Sequence, residues 1–291
     1  MADILALVFR HNNAQPRDLK NLSFASGPDR NTLPCMIVGE RCGIKTSLLF
    51  LTAVTAAAEL GVRVLFLTPS PIQSLSGPLK DSLANLDPDG LKKIKFMYPR
   101  SQEELLQDVA SLHECVRGPA GPPSLLIVDG LEHYLGAGGR GPTAARGEDQ
   151  SAAAHVAALL ADTAAFLTQK LEERGEACAP CRVIVSFDVE WQGHTPPGDP
   201  SAQDPLLSVL DRYFSVRCTL DRDRNPAAPA PAAAGEPGDV WQIYFSGVGI
   251  ADGHTSAQED GSVLGQQWRL AIRPNGAMEF SPVSAESLAS M

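Results

Sequence analysis

Residues 39–46, with the sequence GERCGIKT, bring two glycines, a lysine and a hydroxyl group into one short segment. The segment follows a short apolar run and precedes a helix-like stretch, which is where a phosphate-binding loop lies. In such a loop backbone N–H groups cradle phosphates, a lysine reaches the β and γ phosphates, and a hydroxyl group binds Mg²⁺. The segment therefore predicts a site for ATP and Mg²⁺, with the nucleotide contacted by Gly39, Gly43, Lys45, Thr46 and Ser47.

The spacing in this segment departs from the usual pattern, G-x-x-x-x-G-K-[ST]. Ile44 stands directly before Lys45, and Gly43 lies one position early. A β-branched side chain at Ile44 is expected to crowd a phosphate or to oppose the backbone geometry of the loop. An ordinary turn between a strand and a helix remains the alternative interpretation.

A second acidic motif lies about 80 residues further along, where residues 124–129 read SLLIVD. An apolar run of this kind predicts a buried strand, and Asp129 then stands at the carboxyl edge of the sheet, where ligands bind. Asp129 is predicted to hold Mg²⁺ through water, beside Thr46.

The surrounding elements alternate between strand-length and helix-length patterns. Strands are predicted at residues 35–38, 62–67, 94–98, 124–128 and 182–187, and helices at 46–60, from 101 onward, and at 151–174. Because the strands are apolar on both faces, we predict an α/β fold with a mostly parallel sheet flanked by helices. After residue 205, strands at 213–220, 240–246, 267–272 and 277–280 indicate antiparallel strands at the C-terminal edge, the last two joined by an Asn275-Gly276 hairpin turn.

The predicted organisation is a single large domain with irregular segments. Residues 1–34 form an N-terminal extension, 35–220 an ATPase-like core, 221–239 a low-complexity linker, 240–281 the antiparallel strands completing the same domain, and 282–291 a tail. Loops are predicted at 117–123, 136–150, 192–205 and 221–239. The apolar residues 4–9 could add a strand or a helix to the domain, or dock on a partner.

Composition excludes several classes of protein. The 291 residues carry a net charge of −10, which argues against a chain that coats nucleic acid by bulk charge. No apolar run approaches the roughly 20 residues of a membrane-spanning helix. Six cysteines are too few for a disulfide framework. Cys178 and Cys181 form a C-x-x-C pair that no second pair follows, so either two thiols in a loop or a metal or redox role stays open.

The order of these elements resembles that of the RecA-like recombinase ATPases. The segment IVDGLEHY at 127–134, then Gly139-Arg-Gly and Ala145-Arg146, is similar to the eukaryotic strand-exchange recombinase and its paralogs. Further strings resemble a divergent recombinase paralog, the ATPase partner of a SWIM-domain zinc-finger protein in a Shu-type complex: VLFLT at 64–68, LKKIKF at 91–96 and ALLADTAA at 158–165. The resemblance spans residues 35–220.

This resemblance implies a RecA-like P-loop core in a nuclear protein that supports homologous recombination and DNA repair. It implies ATP hydrolysis stimulated by single-stranded DNA and separate DNA binding. The implied partners are the SWIM-domain zinc-finger protein, the strand-exchange recombinase and its paralogs, and single-stranded DNA.

Two residues depart from the recombinase pattern. Pro69 stands where recombinases carry the catalytic glutamate, and Asp188 stands where they carry a glutamine that senses the γ-phosphate. Either a weak ATPase or a pseudo-ATPase scaffold fits these departures. A small-molecule phosphotransferase does not fit, because the sequence shows no arginine-rich lid pattern. If ATP is hydrolysed, Glu132 is the first candidate for the base.

Candidate DNA contacts lie in two places. Arg140 and Arg146 occupy the position of the first DNA-binding loop of recombinases, although Glu148 and Asp149 weaken its field. The second-loop position, 192–205, contains no lysine or arginine. The densest basic cluster is formed by Lys92, Lys93 and Lys95, which either track phosphates or lie on a solvated face.

Overall fold

The computed structural model describes residues 2–12, 33–72, 88–116, 118, 121–135, 145–175, 180–189, 204–223, 239–247 and 267–283. These residues contain one sheet of nine strands, in the order β3-β2-β4-β5-β1-β6-β7-β8-β9. The strands are β1 (Cys35–Gly39), β2 (Val64–Leu67), β3 (Ile94–Met97), β4 (Leu125–Val128), β5 (Arg182–Asp188), β6 (Val216–Arg222), β7 (Val240–Gly247), β8 (Trp268–Ile272) and β9 (Met278–Pro282).

The sheet has a parallel part and an antiparallel part. Strands β3, β2, β4, β5, β1 and β6 are parallel, whereas β7, β8 and β9 continue from β6 as antiparallel strands. In the centre, Gly39 at the end of β1 lies opposite Asp188 of β5 and Leu220 of β6. The α/β fold predicted from the sequence is confirmed, including its antiparallel C-terminal strands.

Eight helices are present among the described residues. They are α1 (Ala2–His11), α2 (Ile44–Glu59), α3 (Pro88–Lys92), α4 (Gln102–Ala110), α5 (Leu112–Cys115), α6 (Glu132–Leu135), α7 (Ala145–Glu173) and α8 (Pro205–Leu210). Because α7 begins at Ala145, the predicted loop at 136–150 is wrong for its last six residues. Gly147 disfavours a helix there by about 1 kcal/mol relative to alanine, so the sequence pattern favoured a loop over the first turns of α7.

Local signals account for several helix ends. Gly61 follows α2 with φ of 64°, the left-handed conformation in which glycine ends a helix. The hydroxyl of Ser101 accepts a hydrogen bond from the backbone N–H of Glu104 at the start of α4, as in a capping box, in which Ser is followed three residues later by Glu. The carboxylate of Glu104, however, accepts from the N–H of Arg100 and not from that of Ser101.

Helices cover both faces of the parallel strands. Alternate residues of β1, β2, β4 and β5 contribute to two apolar clusters on opposite faces of the sheet. Helices α1 and α2 complete one cluster, and α4 to α8 complete the other. Phe50 and Ala53 of α2 are buried in the first cluster.

The antiparallel strands are covered on one face by α1, which settles that residues 4–9 are helical. Phe9 stacks on Phe280, with ring centroids 4.6 Å apart, and contacts Trp268 and Phe245 at 5.5 and 5.9 Å. On the opposite face of β7, Gln242 and Tyr244 are exposed. The N-terminal helix therefore belongs to the same domain as the C-terminal strands.

Helix α7 is the one described helix that is long and apolar enough, by length and composition, to cross a membrane. Its residues Val156, Leu160, Leu167 and Leu171 are buried in the apolar cluster that α7 shares with the sheet. Packing of this kind is that of a core helix, which passes the same test of length and composition.

Candidate nucleotide-binding site

A cavity of about 180 Å³ lies at the carboxyl ends of the central strands. The loop after β1, the turn after β2, the segment after β4 and the end of β5 line it. Carboxyl ends of parallel strands are the usual place for a ligand in such folds. Its volume is below the roughly 300–1,000 Å³ of pockets that enclose whole ligands, so it has room for phosphates rather than for a complete nucleotide.

The predicted magnesium ligands meet in this cavity. The hydroxyl of Thr46 donates a hydrogen bond of 2.8 Å to Oδ2 of Asp129, across 83 residues of sequence. Oδ1 of Asp129 accepts a second hydrogen bond of 2.8 Å from the hydroxyl of Ser186 in β5. The Ser186 hydroxyl also accepts from the backbone N–H of Gly130, so that β4 and β5 together orient the Asp129 carboxylate.

Burial raises the pKa of Asp129, because desolvation penalises the charged carboxylate. Hydrogen bonds from Thr46 and Ser186 act in the opposite direction, and the nearby carboxylate of Asp188 raises the pKa further. A cation bound between Thr46 and Asp129 would remove this penalty.

Lys45 points into the site but is engaged within the protein. Its side chain is 2% exposed, and its Nζ lies 2.8 Å from Oδ1 of Asp188. Nζ also donates to the backbone oxygen of Gly39 at 3.2 Å and to that of Glu40. The loop thus folds around its own lysine, and Asp188 supplies the counter-charge.

A second acidic group stands beside this ion pair. The backbone N–H of Asp188 donates to Oε2 of Glu132 at 2.9 Å, and Nδ1 of His133 lies 3.0 Å from Oε1. Burial raises the pKa of Glu132, and the adjacent Asp188 carboxylate adds to this shift. Glu132 therefore lines the cavity as an acid that Asp188 N and His133 hold in place. Pro69, which stands where recombinases carry the catalytic glutamate, has no ionisable group.

The two glycines of the loop have different structural roles. A Cβ atom on Gly39 would lie 2.7 Å from the backbone oxygen of Leu220, so the approach of β6 to β1 requires glycine there. A Cβ atom on Gly43 would meet nothing within 4 Å. Gly43 has ordinary right-handed torsion angles, with φ of −71°, so the fold does not require glycine at this position.

Ile44 does not crowd the cavity, contrary to the expectation from sequence. Its side chain is partly buried and packs against the apolar cluster beneath α2. Because Ile44 is the first residue of α2, the helix directs its side chain toward the core while Lys45 turns toward the cavity. The side chain of Ile44 therefore leaves the cavity free.

The N-terminus of α2 is suited to an anion. Its N-cap, Gly43, has no side chain to accept a hydrogen bond, and no acidic residue stands in the first turn. The N–H groups and the positive dipole end of the helix thus lack the usual side-chain partner. The hydroxyl of Ser47, which the sequence assigned to the nucleotide, donates instead to the backbone oxygen of Gly43 at 3.1 Å.

The residues present fit Mg²⁺ with a phosphate better than Mg²⁺ alone. Thr46 and Asp129 together supply one hydroxyl and one carboxylate, and no group of three or more His, Cys, Asp or Glu that could hold a metal occurs in the described part of the chain. Mg²⁺ in phosphate sites commonly uses one or two protein carboxylates, with phosphate oxygens and waters completing its octahedron. Thr46 and Asp129 would hold the ion in that way.

Sequence reasoning missed four polar residues of the site: Thr68, Ser70, His133 and Ser186. Ser186 carries the clearest signal, since it is a hydroxyl within the otherwise apolar β5, two residues before Asp188. In a parallel sheet that position lies beside the end of β4, which is where Asp129 stands.

The predicted DNA contacts are not part of this cavity. Lys92 and Lys93 precede β3 at the amino ends of the strands, the edge opposite to the cavity, and Lys92 lies 3.0 Å from Asp89. Lys95 is exposed on β3 itself. Arg140, the side chain of Arg146 and the second-loop position at 192–203 lie outside the described residues.

The C-x-x-C pair is described only in part. Cys181 is buried, and its burial raises the pKa of the thiol to about 12, so this sulfur is a poor nucleophile. Cys178 lies outside the described residues.

Comparison with known proteins identifies the family. No family model matches the chain. The chain is 35% identical to the human ATPase SWSAP1 over 255 residues, which are 83% of this chain and 96% of the human protein. The chain belongs to the SWSAP1 ATPase family. The mouse ATPase SWSAP1 is 40% identical over 201 residues, 68% of this chain and 60% of the mouse protein.

Membership of the SWSAP1 family confirms the resemblance read from the sequence, that to a divergent RecA-like recombinase paralog. The nine-stranded sheet, parallel in its core and antiparallel at its C-terminal edge, is consistent with a RecA-like core.

Proposed function

We propose that this SWSAP1-family protein binds Mg²⁺·ATP with the phosphates in the cavity at the carboxyl ends of β1, β4 and β5. In this proposal it acts in the nucleus as a subunit that supports the strand-exchange recombinase and its paralogs during homologous recombination. It does so in complex with a SWIM-domain zinc-finger partner and in contact with single-stranded DNA. The curated relatives carry the name ATPase, which supports nucleotide use.

One observation carries the nucleotide part of this proposal. Thr46, at the start of α2, and Asp129, at the end of β4, meet at 2.8 Å beside the buried Lys45. A hydroxyl, a carboxylate and a lysine at an uncapped helix N-terminus are the groups that a magnesium–triphosphate requires. Lys45 would bind the terminal phosphates, and the N–H groups of α2 would bind the phosphate oxygens.

Slow hydrolysis is part of the proposal. General-base assistance is typically worth about 10²–10⁴ in rate, and Pro69 provides no base where recombinases have one. Glu132 lines the cavity and has a raised pKa, so it is the residue that would activate water. Bound ATP is expected to persist and to act chiefly as a structural ligand.

Direct titration with Mg²⁺·ATP tests the nucleotide part. Lys45→Ala removes the lysine that would contact phosphate, so we expect affinity to fall by at least about tenfold. Lys170→Ala is the matched control, because Lys170 lies on α7 and pairs with Glu173 away from the cavity. Equal affinities for wild type and Lys45→Ala would show that the site is not a phosphate site.

The DNA part has a separate test. If Lys92, Lys93 and Lys95 bind phosphates, their replacement by alanine lowers the salt dependence of single-strand binding by about 0.7 for each phosphate that is no longer neutralised. Lys170→Ala serves again as the control. An unaltered salt slope would leave these lysines on a solvated face and would direct attention to Arg140 and Arg146.

A scaffold that does no chemistry is the second candidate, favoured by the ion pair between Lys45 and Asp188. In that case the pair fills the place of a phosphate, and the protein acts only through contacts with its partners. Wild-type protein that assembles with the SWIM-domain partner, and that binds no ATP either alone or in that complex, would establish this candidate.

A further inference from the structure

Asp188 occupies the place that a phosphate would take beside Lys45. A lysine ammonium group has three hydrogens to donate. In this structure they face three oxygens, the backbone oxygens of Gly39 and Glu40 and Oδ1 of Asp188. No donor of Lys45 is left for a phosphate oxygen until one of these partners is released.

The two backbone oxygens are the harder partners to release. Gly39 O also accepts a hydrogen bond of 3.0 Å from Val189 N, so it is held by the pairing of β1 with the end of β5. Both oxygens belong to the loop itself, whereas the Asp188 carboxylate needs only a side-chain rotation to move away. The carboxylate is therefore the partner that a phosphate would displace.

Displacement has an electrostatic cost. Asp188 is 17% exposed, and the cavity that it lines also contains Asp129 and Glu132. The register of β5 against β1 and the hydrogen bond from Asp188 N to Glu132 keep the backbone of Asp188 in place. Once released, its carboxylate would face two other acids and the incoming phosphates without its counter-ion.

We propose that Asp188 is an internal competitor of the nucleotide, which lowers the affinity for Mg²⁺·ATP by holding Lys45 in an ion pair. This inference rests on the proposed function, because it assumes that the cavity takes a triphosphate. It assigns a lowered affinity for the nucleotide to one residue. It also restricts the site to a ligand that can displace the carboxylate from Lys45, such as a polyphosphate with Mg²⁺.

The test compares Mg²⁺·ATP affinity among wild type, Asp188→Asn and Asp188→Gln by equilibrium titration. Both substitutions remove the charge, and the glutamine restores the residue type that recombinases have at this position. We expect both variants to bind at least about tenfold more tightly than wild type, since a charged hydrogen bond no longer has to be broken. A purely structural role for Asp188 predicts weaker or unchanged binding instead.

Asp211→Asn is the matched control, because it removes one carboxylate from another ion pair, that with Arg217. Arg217 of β6 lies opposite Met36 of β1, toward the amino end of β1 and away from the cavity. We expect the Mg²⁺·ATP affinity of Asp211→Asn to equal that of wild type. Equal tightening in Asp211→Asn would mean that net charge alone is responsible, and would overturn the competition.

A measurement without nucleotide tests the ion pair between Lys45 and Asp188 separately from the proposed ATP site. Unfolding free energies of Lys45→Met, Asp188→Asn and the double variant should be non-additive, because each single change leaves one buried charge unpaired. Additive values would show that the pair does not form, and would overturn the inference. ATP binding of equal strength in wild type and in the Asp188 variants overturns the competition alone, whereas absence of ATP binding in every variant overturns the proposed function and with it the competition.

Discussion

The two parts of the sheet differ in what covers them and in what they bury. In the parallel part, helices cover both faces of β1, β2, β4 and β5, and polar groups are buried at the carboxyl edge, among them Lys45, Asp129 and Ser186. In the antiparallel part, one face packs on α1 through aromatic rings, and residues such as Tyr244 face outward. The first part contains a site for chemistry, and the second is a structural extension.

This difference has an energetic meaning. Buried carboxylates and a buried lysine oppose folding unless they are paired, so the parallel part gives up stability for its site. The aromatic cluster buries large apolar surfaces, which favours folding. Substitutions in the aromatic cluster are therefore expected to cost more stability than those of the polar groups at the carboxyl edge.

The largest expected effect is that of Phe9→Ala. Phe9 is fully buried and contacts Phe245, Trp268 and Phe280, so its loss leaves a cavity between α1 and the antiparallel strands. We expect the free energy of unfolding to fall by about 3–5 kcal/mol in urea denaturation. Tyr244→Ala, on the exposed face of β7, is the control and should cost far less. A loss below about 1 kcal/mol for Phe9→Ala would mean that α1 is not an integral part of the domain.

A smaller effect tests the junction of the two parts, where β1 meets β6. Gly39→Ala places a Cβ atom 2.7 Å from the backbone oxygen of Leu220, so we expect the unfolding free energy to fall by about 1–3 kcal/mol. Gly43→Ala has open space and φ of −71°, so stability should be unchanged or higher by up to about 1 kcal/mol. Urea denaturation of both variants compares them directly. Equal losses would contradict the distinct roles assigned to the two glycines.

The smallest effect concerns the buried acid Glu132. Its pKa is raised above the usual value of 4.5 by burial, so the folded protein binds a proton more readily than the unfolded chain and loses stability as pH rises above about 4.5. Glu132→Gln should therefore stabilise the protein near neutral pH, by less than about 1 kcal/mol, and the gain should vanish in acid. Thermal denaturation across pH, with Glu173→Gln as an exposed control, measures it. A loss of stability at neutral pH would indicate that the hydrogen bond from Asp188 N requires the charge.

Much of the architecture was predictable because strand patterns differ between the two parts. Fully apolar runs such as residues 125–128 indicate strands buried on both faces, whereas β7 alternates buried and exposed residues. The hairpin turn at Asn275-Gly276 was also readable, and Gly276 has the positive φ of 84° that such turns require. The short helices α3, α6 and α8 were not predicted, because four to six residues carry too little periodicity.

The candidate site was predictable only in its residue types. The motifs at 39–46 and 124–129 pointed to Lys45, Thr46 and Asp129 by their chemistry and their place after strands. Of the two effects that the sequence suggested for Ile44, crowding of a phosphate does not occur, because the side chain packs on the core, and the sequence motif alone does not show which side of the first helical turn faces the core.

The sequence by itself determined the elements of this protein and its family, because hydrophobic periodicity and loop motifs are local properties of the chain. Only the tertiary structure decided which charges meet. Asp188 lies 143 positions after Lys45, and the register of β5 against β1 brings their side chains to 2.8 Å. The free energy of an ion pair depends on distance and burial, which only the packed sheet sets.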